Sequence, residues 1–199
     1  MSHALPTTRT FEGESLLPWL DAVARLRMEV FRAWPYLYEG DLAHEESSLR
    51  AYAAKPRAAV TLFFDGEVPV GAATSEPMEE SYAGVRDAFT AAGEDPRLFC
   101  YFGESVLLPR YRGRGVGLSF FRAREAHALR HGLRRCAFVA VQREPNDPRR
   151  PGDYQPLDGY WRRRGYTERP DIIVRMNWRE VGADGENPHA LRAWMKQLP

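Results

Sequence analysis

An α/β fold with a mixed central sheet flanked by helices is predicted by three features of the chain. Two β-rich runs, "RAAVTLFF" and "VPVGAATSEP", flank Asp65-Gly66 and read as an antiparallel hairpin with a two-residue type I′ turn. The apolar runs "PRLFCYFGESVLLP" and "LRRCAFVAVQ" are separated by a helical stretch, and a crossover of that kind joins parallel neighbours. The 199 residues, 44% of them apolar, fit one domain over residues 1–199 with a sizeable core.

The elements follow in order. "TTRTF" reads as a short first strand. "ESLLPWLDAVARLRMEVFRAW" reads as a helix, because Leu16, Leu20, Val23, Leu26, Val30, Phe31 and Trp34 recur at helical spacing, with Ser15 as N-cap and Pro18 in the first turn. "PYLYEGD" breaks it, and Asp41 caps a second helix through "LAHEESSLRAYAA". After the hairpin, "EESYAGVRDAFTAAGED" is helical and "PRLFCYFGESVLLP" is one long strand ended by Pro109. "GLSFFRAREAHALRHG" is a helix with Leu118, Phe121, Ala128 and Leu129 near one face, closed by Gly132. "LRRCAFVAVQ" and "DIIVRMNWREV" are strands, "LDGYWRRRGY" a short helix ending at Gly165, and "NPHALRAWMKQLP" a terminal helix.

Charge is balanced, 28 basic against 27 acidic residues, so no global field points to nucleic acid or an anionic membrane, and any anion site must be local. The apolar stretches are too short to span a bilayer, and "MSHALPTTRTFEGES" lacks the basic-then-apolar pattern of a secretory signal, so a cytoplasmic protein is expected. Cys100 and Cys136 both lie in apolar runs and are expected to be buried, reduced thiols.

The stretch "LLPRYRGRGVGLSFF" carries the functional argument. Gly113, Gly115 and Gly117 alternate between a strand and a helix, with Arg110, Arg112 and Arg114 among them. Alternation does not match the G-x-G-x-x-G dinucleotide fingerprint, and no Lys-Ser or Lys-Thr follows as in a P-loop. A helix N-terminus nonetheless offers unpaired N–H groups and a positive dipole end. Glycine lets a pyrophosphate settle on the backbone, and the arginines add charge-assisted contacts.

"VLLPRYRGRGVG" resembles the acyl-CoA signature of the GNAT-superfamily N-acetyltransferases, Arg/Gln-x-x-Gly-x-Gly/Ala after a strand. Arg112, Gly115 and Gly117 stand at its three positions. A strand then a short aromatic helix ending in a Gly-aromatic pair, "YWRRRGY", continues the likeness, which covers residues 97–178. The resemblance implies a mixed, mostly antiparallel sheet and an acyl-CoA N-acyltransferase, most simply acetyl, using no metal and passing the acyl group directly to a primary amine of a small molecule or peptide. It implies pyrophosphate held by Arg110, Arg112, Gly113, Arg114, Gly115, Val116 and Gly117. The pantetheine arm would lie along the backbone of Val106, Leu107 and Leu108, where one N–H polarises the thioester carbonyl. Gly103 marks a place for strands to splay. Glu104, a lone acid in an apolar run, is the candidate base; an outward residue on an alternating strand is its ordinary reading.

The family's thiolate-protonating tyrosine falls at Trp161 here. Tyr160, about 100° away around the helix, is the candidate acid, with ordinary packing as its competing reading and Tyr154 as a second possibility. A thiol of pKa about 8.5 is a tolerable leaving group without a dedicated acid. The rival class is an acyl-CoA-binding regulatory module without turnover, and a nucleotide-binding protein is a third reading.

The acceptor pocket of such proteins involves the turn between the first two helices. Here "WPYLYEGDLAHEE" supplies Tyr36, Tyr38 and Glu39 with Trp34, Asp41, Glu45 and Glu46, aromatic walls and carboxylates suited to a cationic amine. The same acids also suit a helix N-terminus. The long loop "REPNDPRRPGDYQPLDG" is expected to shape the acceptor side, and Asn146 has no secure family counterpart. His127 and His131 stand four apart without a visible third ligand and read as exposed helix residues. Arg162, Arg163 and Arg164 read as a solvated face rather than an RNA site. A stripe of Leu191, Trp194, Met195 and Leu198 packs on the domain or forms a homodimer contact.

Overall fold

The computed structural model of the chain describes residues 7–199. An eight-stranded sheet runs in the order β1 (Thr7–Glu12), β2 (Ala59–Asp65), β3 (Val68–Pro77), β4 (Phe99–Tyr101), β6 (Arg135–Val141), β8 (Glu186–Gln197), β7 (Thr167–Arg179), with β5 (Ser105–Leu107) also on β3. Among the described residues the β4–β6 pair alone is parallel and every other strand pair is antiparallel. The mixed, mostly antiparallel sheet is therefore as expected.

Helices α1 (Leu20–Phe31), α2 (Leu42–Ala53), α3 (Ala83–Ala91), α4 (Val116–Arg130) and α5 (Asp158–Arg163) flank it. Phe89 of α3 packs with Ile172, Val174, Leu191 and Ala193 on one face, while Phe121 of α4 packs with Phe138, Tyr166 and Trp194 on the other. Asp41 caps α2 as its residue type demands, accepting from the His44 amide at 2.9 Å.

Several expectations need correction. The terminal segment is strand β8, not a helix. Leu191, Ala193, Trp194 and Met195 are all buried; three of them are consecutive, so the strand is covered on both faces there and its alternation is broken, leaving Leu191, Trp194, Met195 and Leu198 at helical spacing. The stripe of Leu191, Trp194, Met195 and Leu198 is interior, the first of its two readings, packed on the domain. The first helix begins at Leu20; Gly13–Trp19, which holds Pro18, is a 3-10 turn closed by Ser15 on the backbone of Glu12. The hairpin pairs Asp65 with Val68, so its two-residue turn is Gly66-Glu67, with left-handed backbone at Gly66 only. A type I′ turn would need it at both residues.

The expected long strand is two strands broken at Phe102–Glu104. Cys100 and Cys136 lie opposite each other in the parallel pair, fully buried and unlinked, and burial raises both thiols, Cys100 to about 12.

Candidate active site and acyl-CoA groove

The break in the strand builds the site. The last bond of the parallel pair is Phe102 N–H to the Ala137 carbonyl, 2.8 Å. Beyond it β5 stays with β3 while β6 continues with β8, so the two diverge from Gly103 onward. A Cβ on Gly103 would lie 2.7 Å from Thr74 Oγ1, which accepts the Glu104 amide at 3.0 Å. Only glycine fits there.

The register shows which backbone groups face the gap. Thr74 N–H bonds the Glu104 carbonyl at 3.1 Å, and Leu108 N–H bonds the Val70 carbonyl at 3.0 Å. By antiparallel alternation Glu104 and Val106 turn their polar groups toward β3, as does the Leu108 N–H, and Ser105 and Leu107 turn theirs away. Among the described residues no strand pairs with that outer edge. Of the three residues expected to line the pantetheine arm with free backbone, Leu107 presents such groups. Val106 has its groups committed to β3, and Leu108 donates to β3 while its carbonyl accepts the Tyr111 N–H at 3.0 Å. Ser105, which the sequence reading did not name, takes their place.

The glycine turn follows. Gly113 (φ +75°) and Gly115 (φ +81°) are left-handed, and a Cβ at either would meet nothing within 4 Å, so both face open space. The amides of Gly113, Arg114, Gly115, Val116 and Gly117 find no acceptor among the described residues, while Leu118 N–H returns to the Gly115 carbonyl at 2.9 Å. Tyr111, buried, pins the turn to Asp65 through its hydroxyl. Arg110, Arg112 and Arg114 are exposed and in no salt bridge among the described residues; Arg112 Nε touches the Leu107 carbonyl at 3.3 Å. Five free amides at a helix N-terminus beside three unpaired guanidinium groups form an anion site large enough for a pyrophosphate.

Tyr160 on α5 packs against the first turn of α4, its ring 6.0 Å from that of Phe121. Its hydroxyl is buried without a partner, and a Cβ on Gly117 would lie 3.0 Å from it. Burial raises the phenol above its usual range, with Arg164 and Arg124 opposing. Trp161 faces the other way, against Phe138 and Trp194 with ring centroids 5.1 Å away in each case. The helix is thus rotated so that position 160 lies against the first turn of α4 and position 161 against Phe138 and Trp194.

Glu104 stands at the splay. Its Oε2 accepts from Arg27 Nη1, while its Oε1 is buried with no partner. Arg27 also donates through Nε to Glu45, a carboxylate 1% exposed that accepts the Tyr38 hydroxyl at 2.7 Å. Burial pulls the guanidinium down, but the two carboxylates outweigh it and hold Arg27 charged. A cavity of about 230 Å³ opens beside Glu104, walled by Phe31, Tyr36, Tyr38, Tyr101, Met176 and Trp178. Tyr36 is pushed up to about 12 by burial and by the nearby Glu104 charge, so it stays a neutral phenol.

Tyr36 and Tyr38 therefore reach the cavity as expected. Glu39 does not: it pairs with Arg32 and lies with Asp41, His44 and Glu186 in an adjoining depression. The long loop acts through Arg143, which donates to the carbonyls of Pro35 (2.6 Å) and Tyr36 (2.8 Å) and pairs with Glu180; Trp178 Nε1 also donates to Tyr36 O, at 3.0 Å. Asn146 is exposed, and Asn177 lines the cavity instead. Of the run after Trp161, Arg162 and Arg163 are exposed as read, Arg162 pairing with Glu168 at 3.1 Å, whereas Arg164 is half-buried over the Tyr160 ring with its Nε buried and unpartnered.

Sequence reading missed Arg27, Tyr101, Asn177 and Trp178. Only Arg27 left a signal, a charged residue on the apolar stripe Leu20, Val23, Phe31. It also missed Arg124. This residue is 3% exposed with no acid partner among the described residues, donates to the Glu104 carbonyl at 3.2 Å, and sits 4.4 Å over the Phe102 ring. The buried face of α4 is Phe120, Phe121, Arg124, His127 and Ala128; Leu129 is exposed, and His127 is not the exposed residue expected.

Comparison with known proteins agrees with this geometry. Residues 20–151 match the acetyltransferase (GNAT) family model. No curated protein matches the sequence. Among solved structures, an acetyltransferase from Thermus thermophilus is 17% identical over 99% of this chain and 100% of its own, TM-score 0.59. YncA of Salmonella typhimurium, solved with its cofactor acetyl-CoA, is 14% identical over 98% and 95%, TM-score 0.60. The PaiA N-acetyltransferase of Thermoplasma acidophilum, in complex with coenzyme A, is 9% identical over 98% and 99%, TM-score 0.58. At such identities these likenesses show the fold. The family match spans two thirds of the chain and includes the glycine turn: the chain belongs to the GNAT acetyltransferase family and is an acetyl-CoA-dependent acetyltransferase.

Proposed function

We propose that this chain acetylates a primary amine of a small molecule or peptide directly from acetyl-CoA in a ternary complex. The observation that carries the reading is Glu104 Oε1, a buried, unpartnered carboxylate oxygen where the strand splay meets an aromatic cavity. A buried acceptor without a donor is costly, about 1–3 kcal/mol, and an ammonium group entering the cavity relieves it.

The steps follow from that placement. Arg110, Arg112, Arg114 and the amides from Gly113 to Gly117 hold the pyrophosphate, and the arm extends along the open edge of Ser105 and Leu107. A backbone N–H on that edge polarises the thioester carbonyl. Tyr36, Tyr38 and Trp178 wall in the amine, and Glu104 takes its proton, directly or through water. The neutral nitrogen then attacks the carbonyl carbon, a C–N bond forms, the nitrogen gives its surplus proton to water, and the C–S bond breaks. The thiolate leaves and takes a proton; Tyr160, beside Gly117, is the donor hydroxyl.

The test is amine-dependent release of CoA thiol with a panel of polyamines, amino acids and aminoglycosides, in wild type and Glu104→Gln. The expected outcome is turnover with at least one amine and a drop in kcat/KM of about 100-fold or more in the variant, with acetyl-CoA binding intact. Binding without release for any amine would instead mark a regulatory acyl-CoA-binding module.

A further inference from the structure

We propose that Glu12, His127 and His131 form a binding site for a divalent first-row transition ion of the Zn²⁺ type. The site lies at the C-terminal end of α4, about 16 Å along the helix from the glycine turn at 1.5 Å per residue. It takes no part in acetyl transfer.

The sequence shows two histidines four apart on a helix but no third ligand. Folding supplies it from the end of β1, 115 residues earlier: the ligand atoms of Glu12, His127 and His131 all lie within 4.8 Å of one another. His127 is 1% exposed, and its Nε2 lies 3.0 Å from the Arg57 carbonyl. A carbonyl only accepts, so the proton sits on Nε2 and Nδ1 carries a lone pair able to accept a donor or bind an ion. A ring nitrogen fixed by a backbone carbonyl on its far side is the usual support of a metal-bound imidazole.

The spacing fits as well. Two ligands at about 2.0 Å from a tetrahedral ion are about 3.3 Å apart. His127 Nδ1 and Glu12 Oε1 are 3.3 Å apart already. The His127 and His131 rings are 4.6 Å apart between centroids, tilted by 58°, so a small χ rotation of the half-buried His131 completes three ligands.

A cation already occupies the spot. Arg130 Nη2 lies 2.8 Å from Glu12 Oε1 and 3.3 Å from His127 Nδ1. This guanidinium nitrogen touches the two atoms that would bind the ion, and its side chain is 55% exposed, free to swing into solvent when an ion arrives. The donor set, two imidazoles and one carboxylate, suits Zn²⁺ and its neighbours rather than Ca²⁺ or Mg²⁺, which take oxygen ligands. Bound there, the ion would tie edge strand β1 to α4.

The experiment is calorimetric titration of ZnCl₂ into the chelator-treated, untagged chain, with thermal melts alongside. Wild type should bind one equivalent and melt at a higher temperature with Zn²⁺, as mass action requires. His131→Ala and Glu12→Gln should each weaken binding at least about tenfold and abolish the melting shift, on the scale of losing a ligand or its support. Arg130→Ala should bind as tightly as wild type or more so, since the competing cation is gone. Unchanged acetyl-CoA binding in the variants checks that they are folded. No heat with wild type, or equal Zn²⁺ binding by wild type and the Glu12→Gln/His131→Ala double variant, would overturn the site and leave the cluster a hydrogen-bonded clamp.

Discussion

Arg27 on α1 and Glu104 at the strand splay, 77 residues apart in sequence, share a charge-assisted hydrogen bond that leaves one carboxylate oxygen free. Because Arg27 also holds the buried Glu45, one guanidinium compensates two carboxylates. Replacing Arg27 by Met strands both. We expect a loss of about 3–5 kcal/mol in unfolding free energy, read by urea denaturation, since breaking a buried pair leaves an uncompensated charge. Arg27→Lys should recover part of it. A Met variant as stable as wild type would show that the pair is not a structural necessity.

The glycine turn makes a second prediction. Gly115 has φ +81° and faces open space, so a larger residue meets strain from the backbone rather than a clash within the chain. Gly115→Trp should cost about 1–2 kcal/mol in stability from the left-handed backbone. It should also abolish acetyl-CoA binding by calorimetry, because the indole would fill the anion site. Retained binding would move the pyrophosphate elsewhere.

Tyr160 distinguishes proton donation from packing. Tyr160→Phe keeps the ring but removes a buried hydroxyl that has no partner in the fold, so the variant should be at least as stable as wild type, gaining up to about 1 kcal/mol. If the hydroxyl protonates the thiolate, kcat should fall about 10- to 100-fold with KM for the amine unchanged. An unchanged kcat would leave Tyr160 a packing residue.

A fourth prediction concerns pH. Glu180 is pushed up by burial, but hydrogen bonds from Arg149 and Arg143 outweigh this and hold its carboxyl below the usual 4.5. A folded-state value below the unfolded one stabilises the fold above pH 4.5, and that contribution is lost as pH falls through the lowered value. The melting temperature should therefore drop below about pH 4.5, where unfolded glutamate begins to protonate. The drop should be shallower in Glu180→Gln. Because Arg143 also holds the carbonyls of Pro35 and Tyr36, Glu180→Gln should in addition raise KM for the amine more than it lowers kcat. Identical pH profiles for the two proteins would show that this pair does not couple to stability.

What the sequence by itself determined is what depends on neighbours along the chain. Gly113 and Gly115 need left-handed backbone, Asp41 caps the next helix, Pro109 ends a strand, and Arg112, Gly115 and Gly117 keep their spacing wherever the turn sits. These local requirements made the acyl-CoA turn and most helices and strands legible. Tertiary structure alone decided the rest. Strand β8 looked helical because a strand buried on both faces loses its alternation, so only its place between β6 and β7 shows what it is. The register of β5 on β3 decided that Leu107 and Ser105, not Val106 and Leu108, face the groove. The rotation of α5 decided that Tyr160 lies against Gly117 and Trp161 against Phe138. Arg27, Trp178 and Glu12 joined their sites from remote elements, since pairing and packing across a sheet follow from long-range complementarity, which no local spacing records.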